Sequence, residues 1–341
     1  MPHNSRAWIN HSRCTWRPWY IYASVLKLGK VLTVTMTQKT ILVTSANGAV
    51  GSTLAGLLLD QGFNVNALVR NTDSDTAREL EKRGAKIFKG DFDDIPSLQK
   101  ASQGIWGVFV NGSPVYGTLD ELRHNTNIIN VAKEAGAKYA LYMSVSMADI
   151  KDQFANMGPQ HPDYNYWQAK RETEKALQNA GFDYWTILRP GVFMNGFFGY
   201  VAALLWPTLQ KQHVILSPLD PSFTQSLIDP DDVARYAAAA FADPDTFNGL
   251  AIDLSGEEIT LKDFAKLITN ITGIEVNVEH ISREEAVARG VPELITSWYD
   301  WKTALNYHID YERLNQFPIQ RTTSEEYVKN HKDAIIHFLS S

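Results

Sequence analysis

The chain has 341 residues, of which 44% are hydrophobic, enough for one large or two ordinary domains with a sizeable core. Its formal net charge of −6 argues against a general nucleic-acid-binding surface. Cys14 is the single cysteine of the sequence, which excludes an internal disulfide and a cysteine-based metal site, and we expect no metal.

Residues 1–38 differ in composition from the rest, because they contain five basic residues and no acidic residue. The apolar run Tyr20–Leu26 follows two arginines, as in a signal sequence, but Lys27 cuts it short. Met36 is typical of a natural start just before the first apolar strand pattern. We therefore expect residues 1–38 to be a disordered N-terminal extension, with a transit peptide as the alternative.

The stretch from Thr40 to Arg70 has the pattern of a strand, a helix and a second strand. Ile41–Val43 and Val65–Val69 are short apolar runs typical of buried strands. Gly62 ends a helical pattern whose apolar face consists of Val50, Leu54, Leu57 and Leu58. The turn before that helix is made of small residues, and we expect it to bind a ligand through Ser45, Asn47, Gly48, Ala49, Val50 and Gly51.

The turn is suited to a phosphate, because a helix N-terminus presents unpaired N–H groups and a partial positive charge. Gly48 and Gly51 occupy the second and third glycine positions of a G-x-x-G-x-x-G pattern, and Ser45 occupies the first. Arg70 ends the second strand, where an arginine binds the 2′-phosphate of NADP and an acidic residue would bind the ribose of NAD. We therefore expect NADP(H) to be preferred over NAD(H). The alternatives are a tight turn without a ligand and a solvated surface arginine.

A helical pattern that ends at a glycine, followed by an apolar strand, recurs through the first half of the chain. With Ile41–Val43 included, the predicted strands are Val65–Val69, Lys86–Phe88, Trp106–Val110, Tyr139–Met143 and Tyr184–Leu188. Alternating helices and strands with right-handed crossovers predict an α/β fold with a doubly wound parallel sheet. Such a sheet binds its ligand at the carboxyl ends of its strands.

The residues that follow the strands are therefore expected to share one edge of the sheet. After the third strand, Asp91 is suited to an adenine amino group and Phe92 to the face of the ring. Ser144 or Ser146, after the fifth strand, is expected to orient an acceptor oxygen, and we count Ser144 among the catalytic residues. The other residues expected around the dinucleotide are Asn111, Gly112, Pro190, Val192 and Phe193. For each residue taken singly, ordinary turn chemistry is the alternative.

Tyr166 and Lys170 lie four residues apart on one face of a predicted helix that follows the fifth strand. An ammonium beside a phenol favours the phenolate, so we expect Lys170 to lower the pKa of Tyr166 and Tyr166 to donate a proton. Lys170 is also expected to hold the ribose of the nicotinamide. A surface contact between an aromatic ring and an aliphatic chain is the alternative.

Val192–Leu209 contains no charged residue and is nearly long enough to span a bilayer. Pro207 and the internal glycines favour instead a helix that covers the substrate pocket. Its aromatic side chains predict an apolar or aromatic substrate, and they are Phe193, Phe197, Phe198 and Tyr200. Residues 212–341 have a smaller α+β pattern, with a last helix expected from Ser324 towards Phe338.

These residues together resemble the NmrA-like family, an atypical branch of the short-chain dehydrogenase/reductases. The matching segments are SANGAVG, LVRN, GDFDD, SVS, KRETEKALQNAGFDYWTILRPGVFMNGF, DPDDVARYAAAAF and TSEEYVKNH. The resemblance covers residues 39–340 and implies a Rossmann domain followed by a smaller substrate domain. It also implies a dinucleotide site lined by Ser45, Asn47, Ala49, Val50 and Arg70, with Lys170 at the nicotinamide ribose. We accordingly expect an NAD(P)-binding Rossmann domain at 39–190 and an interleaved substrate-binding portion at 191–341.

The sequence predicts an NAD(P)H-dependent oxidoreductase that reduces a small apolar or aromatic carbonyl or quinone. One alternative is an NADP(H)-sensing regulatory protein without turnover, because some members of the family sense the NADP state. A nucleotide-sugar epimerase or dehydratase is the second alternative. We expect a cytoplasmic protein with a small-molecule substrate and with neither nucleic acid nor membrane as a partner, and we leave a homodimer open.

Overall fold

The structure, a computed structural model, describes residues 38–154, 157–199, 201–293, 295–298, 305 and 307–341. The expected extension at residues 1–38 falls almost wholly outside these residues and stays a prediction. In the part of the chain that is described, no helix is both long and apolar enough to cross a membrane.

The first six strands of the described residues follow the predicted pattern, and further strands come after them in the chain. They are β1 (Thr40–Val43), β2 (Asn64–Val69), β3 (Lys86–Lys89), β4 (Gly107–Val110), β5 (Tyr139–Met143), β6 (Tyr184–Pro190), β7 (Val192–Phe193), β8 (Val214–Ser217), β9 (Thr224–Ile228), β10 (Leu250–Leu254), β11 (Glu257–Thr260) and β12 (Asn277–His280).

Helices connect these strands and cover both faces of the main sheet. Their bounds are α1 (Ala49–Asp60), α2 (Asp75–Lys82), α3 (Ile95–Ala101), α4 (Asp120–Glu134), α5 (Tyr164–Asn179), α6 (Ala202–Leu205), α7 (Leu209–Gln212), α8 (Pro230–Ala242), α9 (Pro244–Phe247), α10 (Leu261–Thr272), α11 (Arg283–Ala288), α12 (Tyr311–Leu314), α13 (Ser324–Asn330) and α14 (Lys332–Ser340).

The main sheet is parallel and doubly wound, with the strand order β3–β2–β1–β4–β5–β6–β10. Alternate residues of β1 face opposite sides, so Ile41 and Val43 enter the core beneath α1 and α8, whereas Leu42 enters the core beneath α3 and α4. The glycines that end the helices before β2 to β6 all have positive φ, between 69° and 103°. The predicted fold class and all six predicted strands are therefore confirmed.

The seventh strand of this sheet, β10, was not predicted. It pairs in parallel with β6, with Leu250 opposite Thr186 and Leu254 opposite Pro190. Helix α8, which comes before α9 and β10 in the chain, packs against α1 on one face of the same sheet. The chain thus returns from its second half to complete the first sheet, a long-range pairing that no local pattern near residue 250 indicates.

The second half builds a separate core around two small sheets, β11–β9–β7 and β12–β8. The single helix expected over Val192–Leu209 is wrong, because this stretch consists of β7, a 3₁₀ turn at Met194–Phe197, α6 and the start of α7. Pro207 disfavours a helical conformation in the residue before it, and Trp206 ends α6 with φ −137° and ψ 64°. The last helix is also divided, at His331, into α13 and α14.

Candidate active site

The turn between β1 and α1 has the shape that a close backbone approach requires. Ser45 adopts φ 50°, the left-handed conformation that a glycine usually supplies at this position. A Cβ atom added to Gly51 would overlap the carbonyl oxygen of Ser45, so this position requires glycine. Ser45 Oγ donates a hydrogen bond of 2.7 Å to the carbonyl oxygen of Asn111, which ties the turn to the end of β4.

The N-terminus of α1 is open to solvent. Gly48 is its N-cap and provides no side-chain hydrogen bond, and the first turn contains no acidic residue. Asn47, Gly48 and Ala49 are exposed, whereas Val50 is buried in the core and anchors the helix. The first N–H groups of α1 and their partial positive charge are therefore available to an anionic ligand.

The strand order reverses between β1 and β4, and this is where doubly wound sheets bind nucleotides. Thr44 joins the two strand ends, because its Oγ1 donates to the carbonyl of Phe109 at 2.7 Å and accepts from the N–H of Asn111 at 2.9 Å. The N–H of Gly112 donates to Asn125 Oδ1 at 2.7 Å. Asn111 and Gly112 thus lie next to the α1 turn, as predicted from the sequence.

Arg70 lies exposed at the end of β2, and its side chain forms no hydrogen bond or ion pair with any residue that the structure describes. Its guanidinium therefore remains available to a ligand. After β3, Asp91 is exposed and its Oδ1 accepts a hydrogen bond from the N–H of Asp93 at 3.1 Å. Phe92 is half-buried and packs against the ring of His124, with 5.7 Å between ring centroids.

Tyr166 belongs to a stack of aromatic rings at the start of α5. Its ring stacks with those of Tyr116 and Trp298, at centroid distances of 5.8 Å and 5.7 Å and interplanar angles of 24° and 26°. Tyr116 comes from the exposed loop after β4, and Trp298 comes from the C-terminal half of the chain. The aromatic stack Tyr116–Tyr166–Trp298 therefore joins the two halves beside the carboxyl edge of the main sheet.

The expected effect of Lys170 on Tyr166 is wrong. Burial raises the pKa of the Tyr166 phenol well above its usual value, and Tyr116, Glu121 and Asp163 raise it further. Lys170 Nζ forms a buried ion pair with Glu121 Oε1 at 2.6 Å and lies 5.7 Å from the centre of the Tyr166 ring. The prediction considered only the positive charge of Lys170 next to Tyr166, and the negative charge of Glu121 offsets it.

Ser144 is buried and its Oγ donates a hydrogen bond of 2.6 Å to Glu174 Oε1, and its catalytic role stays a prediction. Glu174 also accepts two hydrogen bonds from Arg189, at 2.9 Å and 2.7 Å. Ser146 is half-exposed and is hydrogen-bonded to the phenol of Tyr307. Of the two serines considered in the sequence, Ser146 is the one that retains access to solvent.

The residues after β6 connect the two halves of the chain. The carbonyl of Pro190 accepts a hydrogen bond from the N–H of Ser146 at 2.9 Å. Val192 and Phe193 form β7 and are half-buried, opposite Leu227 and Ile228 of β9. Phe197, expected to contact the substrate, is instead fully buried and stacks on Trp206 at 4.6 Å. Tyr200, expected beside it, lies outside the described residues.

Sequence reasoning missed Glu121, Tyr307 and Asp253. The carboxylate of Asp253, on β10, is hydrogen-bonded to the Tyr307 phenol. Burial raises the pKa of Tyr307, and Asp253 raises it further. These residues are far from Tyr166 in the chain, so no motif at their own positions could have revealed them. Within the described ranges, no group of three or more His, Cys, Asp or Glu side chains is arranged to hold a metal ion.

A sequence profile of the NmrA-like family matches residues 37–328 of this chain. The NAD(P)H azoreductase of Xenophilus azovorans is 28% identical over 257 residues, which cover 74% of this chain and 82% of the azoreductase. The structure of Citrobacter sp. triphenylmethane reductase complexed with NADP(H) matches with a TM-score of 0.68 at 22% identity, over 85% of this chain and 99% of that one. The structure of an NADPH-dependent quinone oxidoreductase from Escherichia coli, complexed with NADPH, matches with a TM-score of 0.67 at 23% identity and the same coverage. These structures share the Rossmann-type fold described above.

Proposed function

The chain belongs to the NmrA-like family, and from this premise we propose that it is an NAD(P)H-dependent oxidoreductase that reduces a small apolar or aromatic carbonyl or quinone. The observation that carries the proposal is the uncapped, exposed N-terminus of α1 at the reversal of strand order, with glycine required at position 51. The names of the azoreductase, the triphenylmethane reductase and the quinone oxidoreductase support reduction as the type of reaction.

The residues on the sheet edge fit a phosphorylated dinucleotide. The N–H groups at the start of α1 would hold its pyrophosphate, and the turn leaves room for it because Gly48 and Gly51 have no side chain. Arg70 would pair with a 2′-phosphate, which supports NADP(H) over NAD(H). Lys170 would hold the nicotinamide ribose. The reduced nicotinamide supplies a hydride when it is bound.

The protein side of the reaction is proton donation and substrate orientation. The Tyr166 phenol carries its proton at neutral pH, as any tyrosine with an ordinary or raised pKa does, so it can donate a hydrogen bond and then a proton to an oxygen that gains negative charge. The rings of Tyr116 and Trp298 stack with that of Tyr166 and provide apolar aromatic surface next to this phenol. An apolar or aromatic acceptor is the class of substrate that such rings favour.

Arg70→Ala tests the proposed cofactor preference. Loss of a charge-assisted contact with the 2′-phosphate is expected to raise the Kd for NADP⁺ by about 10- to 100-fold and to change the Kd for NAD⁺ by less than about twofold. Isothermal titration calorimetry measures both constants. Arg78→Ala, which removes an exposed arginine of α2, is the matched control and should change neither. Equal losses for NADP⁺ and NAD⁺ would contradict the role of Arg70.

Tyr166→Phe tests the proton donor. NADPH consumption is measured spectrophotometrically over a panel of quinones and aldehydes, and the substitution is expected to lower kcat by about 100-fold or more without changing the Kd for NADP⁺. Tyr184→Phe is the control, because Tyr184 lies at the opposite, amino-terminal end of β6. Unchanged rates in Tyr166→Phe would remove Tyr166 from the mechanism, and no NADPH consumption by the wild type over the whole panel would refute the reductase.

A sensor of the NADP(H) state is the second candidate function. It is favoured by the contacts that engage two of the predicted catalytic groups, since Lys170 forms an ion pair with Glu121 and Ser144 donates a hydrogen bond to Glu174. This function predicts tight binding of the dinucleotide in calorimetry together with negligible turnover in the substrate panel. Turnover that requires Tyr166 would exclude it.

A further inference from the structure

The ion pair between Lys170 and Glu121 is enclosed by the protein. The side chains of Lys170 and Glu121 are only 4% and 2% exposed, and Nζ lies 2.6 Å from Oε1. The ammonium lies over the rings of Tyr142 and Tyr166, with Nζ 5.8 Å and 5.7 Å from the respective ring centres. The position of the ammonium is therefore set by one carboxylate and two aromatic rings.

The carboxylate is itself well placed by the fold. Glu121 is the second residue of α4, and the partial positive charge of a helix N-terminus stabilises an acidic side chain there. Lys170 lies on α5, and α4 and α5 pack against each other along the same face of the sheet. The pair thus connects the loop after β4, which leads into α4, to the helix that carries Tyr166.

A buried ion pair is a weak source of stability, because removing both charges from water costs about as much as their attraction returns. A purely structural explanation therefore accounts poorly for this pair. An ammonium has three N–H donors, and the single ion pair with Glu121 does not use all of them, so a bound ribose that reaches Nζ could accept from the others through its vicinal hydroxyl groups.

We propose that Glu121 is a positioning residue for the cofactor site, which acts through Lys170 by holding its ammonium at the place where the nicotinamide ribose binds. This inference rests on the proposed function, because it requires a dinucleotide next to Lys170. It assigns to α4 a role in cofactor binding that the motif around Tyr166 and Lys170 does not contain.

A double-mutant cycle on NADP⁺ affinity tests this role. Glu121→Gln in the wild-type background is expected to raise the Kd for NADP⁺ at least about tenfold, because the ammonium loses its fixed position. In the Lys170→Met background the same substitution should change the Kd by less than about twofold, since there is no ammonium left to position. Calorimetry gives the four constants, and thermal unfolding of each variant reports whether it is folded.

Two further variants complete the test. Glu172→Gln is the matched control, since it breaks the exposed pair of Glu172 with Lys175 at 2.8 Å on the same helix and should leave the Kd unchanged. Glu121→Asp keeps the charge and withdraws it by one methylene, so it should weaken binding in a folded protein even where Glu121→Gln fails to fold.

The outcomes separate this inference from the proposed function. Wild-type binding of NADP⁺ with equal effects of Glu121→Gln in both backgrounds would overturn the positioning role and leave the proposed function standing. Unchanged binding of NADP⁺ by Glu121→Gln or Glu121→Asp would also overturn the positioning role. Tighter binding would overturn it too, because it would mean that the carboxylate competes with the cofactor for the ammonium. No heat from the wild type with NADP⁺ or NADPH would overturn the proposed function and this inference together.

Discussion

At the scale of single residues, the electrostatic surroundings of Tyr166 differ from what its neighbours in sequence predict. Lys170 is one helical turn away, which predicts a lowered pKa, but Glu121, Asp163 and the loss of water around the phenol act in the opposite direction. Asp163 is fully buried and accepts a hydrogen bond from Ser297 at 2.5 Å. Groups that approach from other elements therefore outweigh Lys170 and raise the pKa of Tyr166, which makes its phenol a weaker acid than an ordinary tyrosine.

Gly51→Ala is expected to weaken both the fold and the dinucleotide site. The new Cβ would overlap the carbonyl of Ser45, which belongs to the backbone and can move only with the whole turn, so we expect a loss of about 1–3 kcal/mol in the free energy of unfolding and of most NADP⁺ affinity. Urea unfolding and calorimetry measure the two effects.

Gly48→Ala is the matched control for Gly51→Ala. Gly48 has an ordinary φ of −83°, and a Cβ there would lie 3.3 Å from the same carbonyl oxygen. Gly48→Ala should lower the free energy of unfolding by no more than about 1 kcal/mol, the usual range for a substitution at an N-cap. Equal losses in the free energy of unfolding for the two substitutions would show that the close approach of Gly51 to Ser45 does not determine the shape of the turn.

At the scale of elements, Arg189 at the end of β6 joins three parts of the fold. Its guanidinium forms a two-fold hydrogen bond with Glu174 of α5, lies 2.8 Å from Asp149 in the loop after β5 and faces Asp253 of β10 at 3.8 Å. Burial alone lowers the pKa of Arg189, but Glu174, Asp253 and Asp149 outweigh it and raise the pKa. Arg189 thus keeps its charge and compensates carboxylates from elements that are distant in sequence.

Arg189→Met is expected to destabilise the fold by about 3–5 kcal/mol, because it leaves the fully buried Glu174 carboxylate with only the more distant Arg171, at 3.7 Å, as a counter-ion. Urea unfolding measures the change. Lys175→Met, which breaks the exposed pair with Glu172, is the control and should cost no more than about 0.5 kcal/mol. A loss below about 1 kcal/mol for Arg189→Met would show that water or a rearranged side chain compensates Glu174.

At the scale of the whole molecule, the two halves of the sequence interlock. β10 and α8 belong to the second half and complete the first sheet, and Thr53 of α1 donates a hydrogen bond to Asp231 of α8 at 2.7 Å. Asp232 of α8 in turn accepts the N–H of Thr322, near the C-terminus, at 2.8 Å. Residues of the second range, 191–341, contribute to both cores. The division of the chain into domains at 39–190 and 191–341 therefore stays a prediction.

Local patterns in the sequence predict the alternating elements, the parallel sheet and the position of the turn between β1 and α1. Each of these follows from local information, namely the spacing of apolar residues, the glycines that end the helices and the small residues between Val43 and Val50. Three features emerge only in the folded chain. They are the pairing of β10, the division of the stretch after Phe193 into short elements, and the partners of Lys170 and Ser144. They depend on contacts between residues far apart in the chain, and burial changes hydrogen bonding and pKa there in ways that no neighbouring residue indicates.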